Sequence, residues 1–335
     1  MNYFTDAHFR SGLSVAAKAA CTIVDKVRRE EHATLWTNEF EDSLAERRGD
    51  IYPGMMFSLA KDRMERSTLW KIVRGMPKGT LLHCHLEAMV DLPWLLDEIF
   101  QTESAQISAS APLNTPEARL GTDFTVQFVH PNRAQKNSFN IWDSSYEPGA
   151  LVSLHTMAGA FPDGGKEGFL AWITSRCTIT PDEALNHHHG PNDIWRKFIS
   201  CFPILSSIIN YEPIFRKFMF KMCQDLRRDG VSWVDMRTVF SRPFYRTDSE
   251  EPEPDFDLKL TVMEEEIKRA STAEPDLKMS DELWAGEGRV PTRTMPPFWG
   301  ARLIWTSVRA FKTEDIINGN IPFPHFDQFL TLKQI

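Results

Sequence analysis

The chain has 335 residues, of which 42% are apolar and 25% charged, a composition with ample material for a core. Its 38 basic and 46 acidic residues leave a net charge of −8, and no basic stripe appears, which argues against a nucleic-acid partner. No apolar run approaches the roughly eighteen residues of a membrane span. The five cysteines (Cys21, Cys84, Cys177, Cys201 and Cys223) are odd in number and lack C-x-x-C spacing, so they read as small apolar residues and not as a disulfide framework.

Residues 1 to about 75 read as helices. Met1 to Arg10 carries Asp6, His8 and Arg10, and no apolar stretch of signal-peptide length follows, so the residues alone suggest a cytosolic protein. Ser11 to Arg29 places Leu13, Val15, Ala16, Ala19, Ala20, Ile23, Val24 and Val27 near helical period. A second helix is expected over about 36–48. A third is expected over about 55–73, with an apolar side from Phe57 to Val73.

Met76-Pro77-Lys78-Gly79 then ends the helical texture, and Thr80-Leu81-Leu82 reads as a short buried strand. It leads into His83-Cys84-His85-Leu86-Glu87. In a strand, residues i and i+2 share a face, so His83 and His85 leave the backbone side by side. That spacing suits one metal ion held by two imidazoles, and zinc is the usual guest. Continued alternation would put the Glu87 carboxylate just outside the metal.

The stretch from Met76 to Val90 resembles the MPKG-x-LLH-x-HL-[DE]-A-x-V segment of the adenosine deaminase-related growth factors, the secreted branch of the adenosine deaminases. The resemblance implies a (β/α)₈ barrel of the metallo-dependent hydrolase type whose first strand ends in two zinc ligands, here His83 and His85. It implies that Glu87 holds the ribose of the nucleoside, that residues 1–75 form a dimerisation arm, and that the protein is secreted. It also implies the reaction: hydrolytic deamination of adenosine to inosine and ammonia by zinc-activated water.

After a helix over 92–100 the texture changes. Ser104 to Thr115 is rich in Ser, Ala and Pro and reads as a loop, Phe124 to Val129 alternates like a strand, and Asn132 to Gly168 is turn-rich. About 101–190 therefore reads as a small inserted domain, at a place where the family also carries one. The family's insertion often holds a disulfide, and no cysteine lies between Cys84 and Cys177. His187-His188-His189 reads as a loop tract, with metal chelation as the alternative.

From Asp193 the pattern is strong. One helix starts at Asn192 or Asp193, and a second runs from Tyr211 to Asp229-Gly230. Val231 to Phe240 then reads as a buried strand. Trp195 to Arg237 is similar to the family's block covering the first barrel helix and second strand. By that resemblance Trp195 lines the nucleoside pocket, with a core tryptophan as the alternative, and Asp235 beside Arg237 reads as a structural ion pair. A helix near 258–269 and a third strand over 298–308 follow, and 312–335 diverges from the family.

The family's remaining catalytic groups lie on later strands, in H-A-G-E, G-H-G and D-D-P segments that are not found here. A catalytic zinc needs about three protein ligands, and His83 and His85 supply two. After the insertion there is room for roughly three or four βα units of an eight-unit barrel. The expectation is an incomplete barrel preceded by a helical arm: an adenosine deaminase by family, truncated and inactive as this chain. The alternatives are a non-catalytic dimerisation module and another H-x-H amidohydrolase. The implied partners are adenosine, Zn²⁺ and a second copy.

Overall fold

The computed structural model describes residues 7–48, 57–129, 139–180, 183, 191–240, 242–273 and 297–306. The His187–His189 tract and the 312–335 tail lie outside them. The chain divides into two compact units, Met1–Met76 and Pro77–Ile335.

The first unit is helical: α1 (Ala7–Ser11), α2 (Val15–Thr34), α3 (Asn38–Arg48), α4 (Phe57–Glu65) and α5 (Thr68–Gly75). The third expected helix is in fact two, because Ser67 starts a new one. Its hydroxyl accepts a hydrogen bond from Trp70 N at 3.0 Å, leaving the preceding turn without a continuing partner. Glu31, buried in α2, accepts from the amides of Thr68 and Leu69. A carboxylate from one helix thus occupies the positive end of another and satisfies amides that have no intrahelical acceptor.

The second unit is mixed α/β. Strands β1 (Gly79–His85), β5 (Val231–Thr238) and β6 (Gly300–Trp305) form a parallel sheet in the order β1-β5-β6. Among the described residues this sheet does not close into a barrel. The links between its strands contain the long helices α10 (Pro191–Ile209), α11 (Glu212–Arg228) and α12 (Asp257–Thr272). Gly230 ends α11 with φ +85°, a left-handed conformation that glycine adopts without a Cβ penalty, and β5 begins at the next residue.

Alternation sorts β5 into two faces. Val234 and Met236 are buried with Phe215, Phe218, Met219 and Met222 of α11 and Val262, Met263 and Ile267 of α12 in one core. Trp233, Asp235 and Arg237 project from the opposite face. Strand β1 was expected to be buried, yet it is covered on one side only: Cys84 is buried while Leu82 is 60% exposed.

The second sheet is antiparallel, in the order β3-β2-β4, formed by β2 (Ala105–Ala109), β3 (Phe124–Phe128) and β4 (Val152–Ser153). The loop expected over 104–115 contains its central strand. Composition misleads there because three of the five β2 residues are Ala or Ser, yet all five are buried. Helices α6 (Leu92–Phe100), α7 (Pro116–Gly121), α8 (Leu154–Gly159) and α9 (Gly165–Cys177) complete this part. Its centre is aromatic: Phe124 stacks on Trp172 at 4.8 Å, and Trp142 meets Phe161 edge-on at 4.9 Å. Several contacts bind it to its neighbours, among them Lys197 of α10 on the Ser175 carbonyl and Lys217 of α11 on Glu98. Val126 N donates to Ser207 Oγ of α10 at 3.0 Å, and Phe128 stacks on Tyr211 at 4.2 Å.

Phe215 is wholly buried between α11 and its neighbours, in edge-on contact with Phe244. Phe215→Ala should lower unfolding free energy by about 3–5 kcal/mol, read from the midpoint of urea unfolding. An unchanged midpoint would show that this helix layer does not support the sheet.

Candidate functional site

The C-terminal ends of β1 and β5 bring the candidate residues together. The two strands run in register from Thr80 opposite Trp233 to Leu81 opposite Val234, and resume with Cys84 opposite Met236 and His85 opposite Arg237. Between these points three steps on β1 match two on β5, so Leu82 and His83 both stand opposite Asp235. Such a slip re-aims side chains at a strand end. Its result here is that the exposed rings of His83 and His85 lie 5.5 Å apart, tilted by 50°.

That geometry suits a shared metal ion. With metal–nitrogen bonds of about 2 Å and tetrahedral angles, two imidazole centroids fall roughly 5 Å apart. The ligand count is short, however. Among the described residues no third His, Cys, Asp or Glu joins the pair to form a metal-holding group. The described residues offer two imidazoles to a cation and no complete ligand set.

Glu87 departs from the expected alternation. Residues Leu86–Met89 form a 3-10 turn, which carries Glu87 out of the strand pattern and buries it at 6% exposure. Its Oε1 accepts from Thr238 Oγ1, at the end of β5, at 3.2 Å. In the charge field of Glu87 lies Lys259 of α12, 1% exposed, whose ammonium donates to Asn210 Oδ1 at 2.8 Å and approaches the rings of Phe215 and Phe240. Burial pushes the Lys259 ammonium down to about 8, and the carboxylate of Glu87 pulls it back upward.

The neighbouring polar group is Asp235, 2% exposed. The expected pairing with Arg237 is replaced by one with Arg302 of β6, which stands directly across the ladder. Arg302 Nε donates to Asp235 Oδ1 at 3.2 Å, its terminal nitrogen reaches Oδ2, and Trp233 Nε1 donates to Oδ1 at 2.8 Å. Burial works against the charge on Asp235, but these bonds, with the charges of Arg302 and Arg237, hold its carboxyl below the ordinary aspartate range. Arg237 instead donates to the Leu82 carbonyl at 3.0 Å. Gly300 opens β6 with φ +138°, a conformation that L side chains rarely adopt, beside the Trp233 ring.

Trp195 sits apart from this cluster in contact terms. It is 51% exposed near the start of α10, with its ring 5.7 Å from Phe198, so it is not a core tryptophan. Helix α10 itself packs against the 3-10 turn that carries Glu87. The four free cysteines of the second unit are buried, as small apolar residues should be, and Cys21 is exposed.

No family model matches the chain. Among curated proteins it is 26% identical over 202 residues to adenosine deaminase 2 of Sus scrofa, an alignment covering 60% of this chain and 36% of that protein. It is 26% identical over 207 residues to adenosine deaminase 2 of Homo sapiens, covering 62% and 36%. It is 21% identical over 266 residues to the adenosine deaminase of Phlebotomus duboscqi, covering 77% and 46%. The chain is a relative of the adenosine deaminases. It spans between about a third and a half of the length of these relatives.

Sequence reasoning about this deaminase relative found the histidine pair and Glu87 but missed Thr238, Asn210, Lys259 and Arg302. One signal was available. Lys259 falls on the stripe Lys259, Val262, Met263, Glu266, Ile267 and Ala270, the buried side of α12, and a charge on an apolar stripe marks a special environment.

The lysine yields a pH prediction. Because its folded value lies near 8 and its ordinary value near 10.5, the unfolded chain binds more protons between these pH values. Stability contributed at this site therefore rises with pH through that window. Compared with Lys259→Met, the wild type should gain stability from pH 8 to pH 10 in urea titrations. A constant difference between the two would remove the buried ammonium from the account.

Proposed function

We propose that residues 76–311 form a partial (β/α)₈ adenosine deaminase barrel carrying its first three strands, with an inserted domain at about 101–190, and contribute to hydrolysis of adenosine to inosine and ammonia. The observation that carries this reading is the His83–His85 pair, side by side on the uncovered face of a parallel sheet at a strand's C-terminal end. Barrel enzymes assemble their chemistry at that end, where carbonyl-end loops converge. The segment's similarity to adenosine deaminases gives the pair its proposed role as zinc ligands. Zinc bound with a complete ligand set would supply a water acidic enough to serve as hydroxide near neutral pH.

The chain's own residues have narrower tasks in this reading. His83 and His85 present ring nitrogens to the cation. Glu87 offers a buried carboxylate that accepts hydrogen bonds from a ribose hydroxyl, with Thr238 fixing its orientation. Trp195 presents an open aromatic face to the purine. The further acid, base and metal ligands that deamination requires are not among the described residues, so turnover by this chain alone is not part of the proposal.

The second reading is an interaction module. It is favoured by the exposed Phe9, Val15 and Ile23 on the N-terminal helices, which suit a homodimer contact.

Calorimetry of adenosine into the purified chain, with and without Zn²⁺, tests the two readings. The deaminase reading expects binding that needs Zn²⁺, is lost in the His83→Ala, His85→Ala double variant, and weakens about tenfold in Glu87→Gln. A chain that is dimeric, takes up no zinc and ignores adenosine belongs to the interaction reading.

A further inference from the structure

The slip in β1 is the irregularity nearest the histidine pair, and what holds it decides their mutual angle. At the slip two residues, Leu82 and His83, share one place opposite Asp235. The Leu82 carbonyl is held by a side chain: Arg237 Nη1 donates to it at 3.0 Å. Arg237 also stands directly across from His85 in the ladder. One guanidinium therefore grips the peptide leading into His83 while its own strand position faces His85.

The peptide unit is a rigid plane, so fixing the Leu82 carbonyl fixes the direction from which the His83 backbone departs. The other carboxylate that might claim Arg237 is engaged elsewhere, since Asp235 receives Arg302 and Trp233. We propose that Arg237 is a positioning residue which, by holding the Leu82 carbonyl at the slip, sets the His83 imidazole at the angle needed to share one divalent ion with His85. This rests on the reading of the pair as metal ligands.

Electrostatics alone predicts the opposite of what positioning predicts. A guanidinium near a dication repels it, so deleting the charge should tighten metal binding. Loss of affinity on deletion would thus report geometry. Ni²⁺ is a convenient probe because imidazole ligands suit it. The full chain is titrated by calorimetry, with His187, His188 and His189 replaced by alanine so that this tract does not compete.

Arg237→Gln should weaken Ni²⁺ binding about tenfold, and Arg237→Lys, which keeps a donor of similar reach, should recover most of it. His83→Ala should abolish the binding. If Arg237→Gln binds as tightly as its parent, or more tightly, while His83→Ala does not bind, the histidine pair stands and the positioning role is overturned. If His83→Ala binds unchanged, the metal reading and the positioning role fall together. Should Arg237→Gln not fold by circular dichroism, the unmutated chain decides: the Arg237 Nη protons should exchange more slowly on addition of Zn²⁺, and unchanged exchange overturns the proposal.

Discussion

Parallel pairing of β5 with both β1 and β6 is the constraint on which the second unit depends. A central parallel strand needs helical crossovers on each side, and those crossovers supply α10, α11 and α12. The helices cover one face of the sheet and bury Val234 and Met236. They leave the other face to Trp233, Asp235 and Arg237, whose polar groups must find partners among themselves and on adjacent strands. The exposed histidine pair lies on that face, whereas Glu87 bonds to Thr238, which alternates with Val234 and Met236.

The two buried carboxylates at the strand ends are handled differently. Asp235 is met by a fork of donors from the next strand and from an indole on its own, so it remains charged with its lone pairs occupied. Glu87 accepts a hydrogen bond from a hydroxyl, and its charge supports the buried Lys259 ammonium. The first arrangement locks a ladder position. The second leaves a carboxylate with acceptor capacity remaining, which is what recognition of a polyhydroxylated ligand needs.

Much of the long-helix and sheet framework was legible because it is written in strong periodicity. The helix boundaries near 92–100, 212–228 and 257–272 follow from apolar spacing and from Gly230, and β5 and β6 from β-branched and aromatic runs. The H-x-H spacing made the pair visible without any knowledge of tertiary structure. What remained hidden depends on contacts between distant segments. The Ala and Ser residues of β2 have little strand signature, and pairing with β3 and β4 on either side makes the segment a strand. Asp235 meets a partner 67 residues away, across a ladder whose register no local pattern specifies. The slip in β1 is likewise a property of the pairing and not of either strand.

One corner has a mechanical consequence. Tyr211 stacks on Phe128 of the antiparallel sheet, while Asn210, its immediate neighbour, holds the Lys259 ammonium. Asn210 and Tyr245 are also tied by a backbone bond, as are Tyr245 and Glu212. The inserted sheet and the Lys259 ammonium are therefore both held at adjacent residues of one turn. A change at Phe128 therefore bears on the same turn whose Asn210 side chain holds the Lys259 ammonium.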